Sequence, residues 1–257
     1  MTVIVAKNSI ILRKRLMRYF SRTSGQGLAL REFLDNISQE ADILLFGGAI
    51  RDIALNGIRQ FDSDLDFVFA GDSTQLQTLL SDSPVKANKF GGYRLQNNDL
   101  DLDIWPISET WAFKQSLVDY HSIASLLNTT ITNWDAILFS WQNKKLIYPD
   151  DYFKHLNSGY LDIVLDINPN ELGLVIRILR HFVLKEANIF SPRLIQVLDE
   201  KLQKYDFNDI SVQEQLSYRE TYITPSIIDY LKQTLSKQHN KNTPITLDKF
   251  FKTLPLF

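Results

Sequence analysis

The apolar run Ile43-Leu44-Leu45-Phe46 closed by Gly47-Gly48 constrains this chain more than any other stretch. Such a run reads as a buried strand, and two residues without a Cβ let the backbone turn sharply and approach a ligand closely. From Ala49 the pattern turns helical, with Ile50, Ile53, Ala54 and Leu55, and it stops at Asn56-Gly57. The amides at such a helix start face an anion such as a triphosphate. Arg51 is placed to add a bidentate phosphate clamp. The same residues also fit a plain strand-turn-helix with Arg51 and Asp52 in a surface ion pair.

Asp64-Leu65-Asp66-Phe67-Val68-Phe69 follows. Residues i and i+2 of a strand share a face, so Asp64 and Asp66 point one way and Leu65 and Phe67 the other. Unpaired neighbouring carboxylates repel, and a divalent cation relieves that repulsion. Mg²⁺ suits one or two carboxylates plus phosphate oxygens. An acidic edge strand, with Asp62 nearby, is the plainer reading. Leu100-Asp101-Leu102-Asp103-Ile104-Trp105 alternates strictly and puts Asp101 and Asp103 on one face, so either offers a third carboxylate. Two metals bridged by three carboxylates would activate a hydroxyl and stabilise a leaving phosphate. Phe90-Gly91-Gly92-Tyr93-Arg94-Leu95 reads as a turn into the hairpin partner of that strand.

These residues resemble the nucleotidyltransferase superfamily that includes DNA polymerase β, and within it the head domain of bacterial poly(A) polymerases and CCA-adding enzymes. The likeness rests on Phe46-Gly47-Gly48-Ala49-Ile50-Arg51-Asp52 with Asp64-Leu65-Asp66. It continues through Thr130-Ile131-Thr132-Asn133, Lys145-Leu146-Ile147-Tyr148-Pro149-Asp150, Leu156 to Gly159 and Ile176-Arg177-Ile178-Leu179-Arg180. It spans roughly residues 28 to 185 in the family's order. The resemblance implies an α+β nucleotidyltransferase head with a mixed sheet and flanking helices, followed by a smaller all-helical neck. It implies Asp64, Asp66 and Asp103 as catalytic residues holding Mg²⁺ or Mn²⁺. Asp103 fits better than Asp101 because Asp-Ile-Trp-Pro-Ile is similar to the family's continuation. The implied nucleotide-binding set is Gly47, Gly48, Arg51, Asp52, Asn133, Arg177 and Arg180.

Two departures matter. CCA-adding enzymes carry Arg-Arg-Asp where this chain has Leu127-Asn128-Thr129. They carry Glu-Asp-x-x-Arg in the neck where it has Gly173-Leu174-Val175-Ile176-Arg177. A base-reading template of carboxylate and arginine is not assembled from those residues, which argues against CCA addition specifically. The end at Phe257 suggests a helical body that is absent or very short.

The chain is long enough to bury a substantial core in one domain or two. There is no apolar run of transmembrane length, which predicts no membrane partner. Cysteine is absent, so neither disulfides nor cysteine zinc sites arise, and a cytoplasmic location is compatible. His121, His155, His181 and His239 show no ligand spacing. Near-neutral overall charge hides an asymmetry. Residues 1 to 31 hold Lys7, Arg13, Lys14, Arg15, Arg18, Arg22 and Arg31 and no acid. A helix from Ile10 to about Phe20, capped by Ser9 and striped with Leu12, Leu16, Tyr19 and Phe20, would present these cations. It reads as a contact for a nucleic-acid backbone, as a mitochondrial-type presequence, or as a basic surface helix packed on the head.

Helices are expected over 28–38, 74–80 and 110–127, the last in one or two segments, and a strand from Trp134 to Trp141. Pro169 marks the boundary between a head, residues 1–168, and a neck, residues 169–257. The neck reads as helices Leu172–Ala187, Ser191–Tyr205, Val212–Thr221 and Pro225–Ser236. Beyond it a polar stretch runs to Asn242, and Leu247, Phe250, Phe251 and Leu254 are candidates to dock back. The tryptophans read mainly as core, with Trp105 the one candidate to neighbour a nucleotide.

The chemistry so far predicts transfer of a nucleotide from an NTP to a hydroxyl acceptor, with pyrophosphate leaving. The acceptor expected is an RNA 3′-end, tRNA among the candidates. A protein or small-molecule acceptor, or a nucleotide- or RNA-binding module without turnover, are the alternatives.

Overall fold

The computed structural model describes residues 4–21, 26–59, 61, 63–81, 83, 85–96, 101–238 and 242–248. Asp62, Leu100, Arg22, His239, Phe250, Phe251, Leu254 and Phe257, all named above, lie outside the described residues. The chain forms two compact units, residues 1–130 with 134–153, and residues 131–133 with 154–257.

In chain order the first unit contains α1 (Ser9–Phe20), α2 (Gln26–Ile37), β1 (Ile43–Phe46), α3 (Gly48–Asn56), β2 (Asp66–Phe69) and α4 (Ser73–Leu79). It continues with β3 (Val85–Ala87), β4 (Tyr93–Gln96), β5 (Asp101–Pro106), α5 (Trp111–Lys114), β6 (Leu138–Ser140) and β7 (Lys145–Ile147). The strands form one mixed sheet in the order β3-β4-β5-β2-β1-β6-β7. Only β2 and β5 run parallel; every other neighbouring pair is antiparallel. The fold is α+β, as the sequence pattern predicts.

Register fixes which residues share a face. Asp66 pairs with Asp103 and Val68 with Trp105 across β2 and β5. Arg94 pairs with Asp103 and Gln96 with Asp101 across β4 and β5. Leu44 pairs with Val68 across β1 and β2. By the two-residue alternation of strands, one face therefore carries Leu44, Phe46, Asp66, Val68, Asp101, Asp103, Trp105 and Arg94. The apolar half of that face is roofed by Ile107, Leu126 and Leu127, which come from short 3₁₀ segments. The polar half carries the aspartates and Arg94.

The basic segment forms α1, and Leu12, Leu16 and Phe20 are its buried stripe. Its cap is Asn8 rather than Ser9: Ile11 N–H donates to Asn8 Oδ1 at 3.1 Å. Both residue types cap well, so sequence placed the helix start one residue late. Arg15 donates to the carbonyls of Ile53 (3.1 Å) and Ala54 (2.8 Å), so it ties α1 to the last turn of α3.

Two segments differ from expectation. Residues 110–127 hold only α5 and 3₁₀ turns, because Ser116 takes a positive φ of 55° that ends the helix. Residues 134–141 hold a strand only over β6. Ile137 N–H donates to Asp135 C=O at 2.8 Å, a turn that an apolar run conceals.

The α-helix after β7, α6 (Tyr152–Ser158), crosses into the second unit. That unit contains β8 (Tyr160–Leu161), α7 (Glu171–Lys185), β9 (Ile189–Phe190), α8 (Pro192–Lys204), α9 (Phe207–Tyr218), α10 (Pro225–Ser236) and β10 (Ile245–Thr246). Pro169 lies inside it, just before α7. The four neck helices are present. A small sheet in the order β10-β9-β8 accompanies them; its strands are too short to leave a periodic signal. Leu247 is buried and its N–H donates to Asn188 C=O at 2.7 Å.

Candidate nucleotide and metal site

Gly47 has φ +68° and ψ −115°, a conformation that favours glycine, and it caps α3. Gly48 is less constrained: a Cβ there would meet Arg51 Nη2 at 3.5 Å, an ordinary contact. Thus β1 ends in a turn that only the first glycine requires, and the start of α3 lies at the sheet's end. Helix starts of this kind carry partial positive charge.

Arg51 is buried rather than presented on the surface. Its Nε and Nη2 donate to the two oxygens of Asp52 at 2.8 and 2.9 Å, and its Nη1 pairs with Asp135. Ser63 Oγ donates to Asp52 Oδ2 at 2.5 Å. The ion pair of Arg51 with Asp52 is thus present but buried, with a third member 84 residues away. Burial alone would lower the Arg51 pKa, but the carboxylates of Asp135 and Asp52 outweigh it and raise the value, so the guanidinium stays charged. Burial, more than Asp135 and Asp52, raises the pKa of nearby Tyr152, whose hydroxyl donates to Trp134 C=O at 3.1 Å.

The carboxylates stand on the open half of the sheet. Asp64 precedes β2 and is largely exposed; Asp66 opens β2 and is half-buried. Asp103 N–H donates to Leu65 C=O at 2.9 Å, which extends the parallel ladder toward Asp64. Of the two candidates on β5, Asp103 is the one in register with Asp66.

Arg94 is the residue that sequence reasoning missed. Its Nη1 donates to Asp103 Oδ2 at 2.6 Å, and its Nη2 lies 2.6 Å from Asp101 Oδ1 and 3.4 Å from Asp64 Oδ1. Partial burial lowers its pKa, but the hydrogen bond with Asp103 and the charges of Asp103, Asp101 and Asp64 raise it by more. The argument that adjacent carboxylates demand a divalent cation is therefore weakened, because the chain supplies a cation of its own. The signal was available: Tyr93-Arg94-Leu95-Gln96 alternates, and it sets an arginine on the polar face of the acidic strand's hairpin partner.

The donor chemistry, hard carboxylate oxygens on paired strands, fits Mg²⁺ or Mn²⁺. Among the described residues, no three Asp, Glu or His side chains converge closely enough to ligate one ion. The oxygens of Asp101 and Asp103 are turned to Arg94 instead.

The remaining candidates belong to the second unit. Asn133 Nδ2 lies 3.2 Å from both His155 Nδ1 and Tyr160 O, and its Oδ1 accepts from Asp162 N–H at 2.9 Å. Arg180 pairs with the fully buried Glu214 at 2.7 Å and lies 3.9 Å from the Tyr218 ring centre. Arg177 is half-buried on α7, one turn before His181. In the first unit, Trp105 contacts Phe46 edge-on and donates to Thr110 Oγ1 at 3.2 Å. Trp134 and Trp141 are core.

A second feature of the first unit is a groove of about 530 Å³ between α1 and β7. Arg13, Lys14 and Lys145 line it with Ile10, Met17 and Tyr148. No helix of the described residues is long and apolar enough to cross a membrane.

No protein-family model and no curated protein matches the chain. Solved structures do match. A Thermotoga maritima CCA-adding enzyme complexed with tRNA aligns at 17% identity and TM-score 0.62, over 88% of this chain and 54% of that one. A tRNA nucleotidyltransferase complexed with a primer tRNA and an incoming ATP analogue aligns at 17% identity and TM-score 0.54, over 79% and 60%. A CCA-adding enzyme complexed with ATP aligns at 15% identity and TM-score 0.51, over 89% and 51%. The chain thus shares the fold of these CCA-adding enzymes and this tRNA nucleotidyltransferase, consistent with the resemblance given above. It spans about half the length of the structures it matches.

Proposed function

We propose that the first unit is a divalent-metal-dependent nucleotidyltransferase that transfers NMP from an NTP to a hydroxyl, with an RNA 3′-end as acceptor. The observation that carries this reading is the register that sets Asp66 beside Asp103 at the open end of the sheet, with Gly47 and the start of α3 at the end of neighbouring β1. The fold shared with tRNA nucleotidyltransferases supports it, and tRNA is one candidate acceptor. Such an RNA substrate, with no membrane-crossing helix among the described residues, fits the cytoplasmic location suggested above.

The acceptor oxygen bonds to the α-phosphorus, the bond to the β-phosphate oxygen breaks, pyrophosphate leaves, and the hydroxyl proton is released. Asp64, Asp66 and Asp103 would hold Mg²⁺ or Mn²⁺, which supplies charge neutralisation on the phosphate oxygens and a more acidic hydroxyl. Gly47 lets the backbone turn so that the amides of α3 face the triphosphate. Arg51, fixed by Asp52 and Asp135, anchors the first turn of α3, where its backbone N–H donates to Gly47 C=O at 3.2 Å. Arg13, Lys14 and Lys145 are placed to contact phosphates of the acceptor, with Tyr148 as a stacking platform. Strand β7 lies three strands from β2, roughly 14 Å across the sheet. A backbone held there would be gripped away from its reacting end.

A binding module without turnover is the second reading, and the ion pairs of Arg94 favour it, since they satisfy the acidic cluster without a metal. The test is pyrophosphate release from each NTP with Mg²⁺ or Mn²⁺ and total RNA, beside Asp66→Asn. Release by the wild type alone supports the enzyme. NTP binding without release, with every metal and acceptor class tried, supports the module.

A further inference from the structure

Arg94 holds one oxygen each of Asp103 and Asp101 and lies 3.4 Å from one of Asp64, so it reaches two of the three carboxylates proposed to hold the divalent ion. One guanidinium reaches three carboxylates from one strand position, and two of those contacts are 2.6 Å, the short range of charge-assisted hydrogen bonds. A divalent ion drawn to the Asp103 oxygen that Arg94 holds is opposed there by the guanidinium's like charge. The cluster is also exchangeable in kind. Arg94 is 28% exposed, and Asp103, Asp101 and Asp64 are 30%, 52% and 72% exposed, so water can solvate each partner as the other leaves. That separates it from the Arg51 cluster, where the side chains are at most 8% exposed.

We propose that Arg94 is a built-in counterion that trades places with the divalent cation, and so sets the metal concentration at which the site loads. The inference rests on the metal-site reading above. In the loaded protein the Asp103 carboxylate faces the ion, and the Arg94 side chain moves off it. The ion pairs keep the three carboxylates from repelling one another when divalent ions are scarce.

Mn²⁺ binding measured by electron paramagnetic resonance on the full chain tests this without any turnover. Arg94→Gln removes the competing charge, and it should bind Mn²⁺ about tenfold more tightly than wild type. Arg94→Lys keeps a charge but not the fork, and it should fall between the two. Equal or weaker binding by Arg94→Gln, with thermal unfolding showing a folded protein, overturns the exchange while leaving the metal site standing. Should Arg94→Gln fail to fold, Arg94→Lys alone decides the matter by the same criterion. Absence of Mn²⁺ binding in wild type and both variants would overturn the metal site and the exchange together.

Discussion

Two arginines in the first unit each gather aspartates, and they do opposite work. Arg51 is buried with Asp52 and Asp135. Arg94 lies on the open sheet face with Asp64, Asp101 and Asp103. Charge chemistry is the same in both; solvent access differs. A buried charge that loses its partner has no water to replace it, so the first cluster is locked. An exposed charge regains hydration, so the second cluster is weak and replaceable. The difference teaches where to look for chemistry on this fold. The buried ion pairs lie beside the start of α3, and the solvent-accessible ones lie on the proposed site.

The comparison breaks first at Arg51. Arg51→Met leaves two buried carboxylates without their cation and should cost about 3–5 kcal/mol in urea unfolding. A cost below about 1 kcal/mol would mean that the cluster is not locked.

Asp103→Asn addresses the other cluster. It should leave stability within about 1 kcal/mol of wild type, since the carboxylate is partly solvated and asparagine keeps an acceptor for Arg94. It should also lower nucleotide transfer by roughly 10²–10³-fold, the equivalent of a few kcal/mol of lost charge stabilisation. Rates and unfolding curves on one preparation separate the two effects. Unchanged turnover would remove Asp103 from the site and leave Asp101 as the candidate.

Gly47→Ala sharpens the point that the locked arginine serves a turn. The positive φ should cost about 1–3 kcal/mol, while Gly48→Ala should be tolerated in thermal unfolding.

The smallest effect lies in the second unit, where Glu171 repeats the exposed pattern. Lys204 and Tyr205 donate to it at 2.6 and 2.7 Å, Lys201 lies 3.3 Å away, and these bonds hold its pKa at about 2 against an ordinary 4.5. A folded pKa below the unfolded one means the stabilisation is present above pH 4.5 and is lost as pH falls through about 2. Carboxylate NMR titration should show that low value, and Glu171→Gln should flatten the acid arm of stability only slightly. A midpoint near 4.5 would show that these exposed bonds do not form in solution.

The sequence exposed what is local. The apolar run, its glycines and the helix to Asn56 follow from periodicity within one stretch, and the alternation over Asp101–Trp105 put the aspartates on one face. Arg94 and Asp135 were hidden for different reasons. Arg94 acts across a hairpin, and its role appears only when register sets it opposite Asp103. Asp135 acts over a long sequence separation from within a turn that resembles a strand. The parallel pairing of β2 with β5, which chooses Asp103 over Asp101 as the neighbour of Asp66, is likewise a fact of topology.

A cation held by Asp66 and Asp103 must draw Asp103 away from Arg94. Crystals grown with Mn²⁺ and a non-hydrolysable NTP, measured for anomalous scattering, test it directly. The account predicts a manganese peak between Asp66 and Asp103, a triphosphate at the start of α3, and Arg94 withdrawn from Asp103. A nucleotide bound elsewhere, or Arg94 still on Asp103 with no manganese peak beside it, would contradict it.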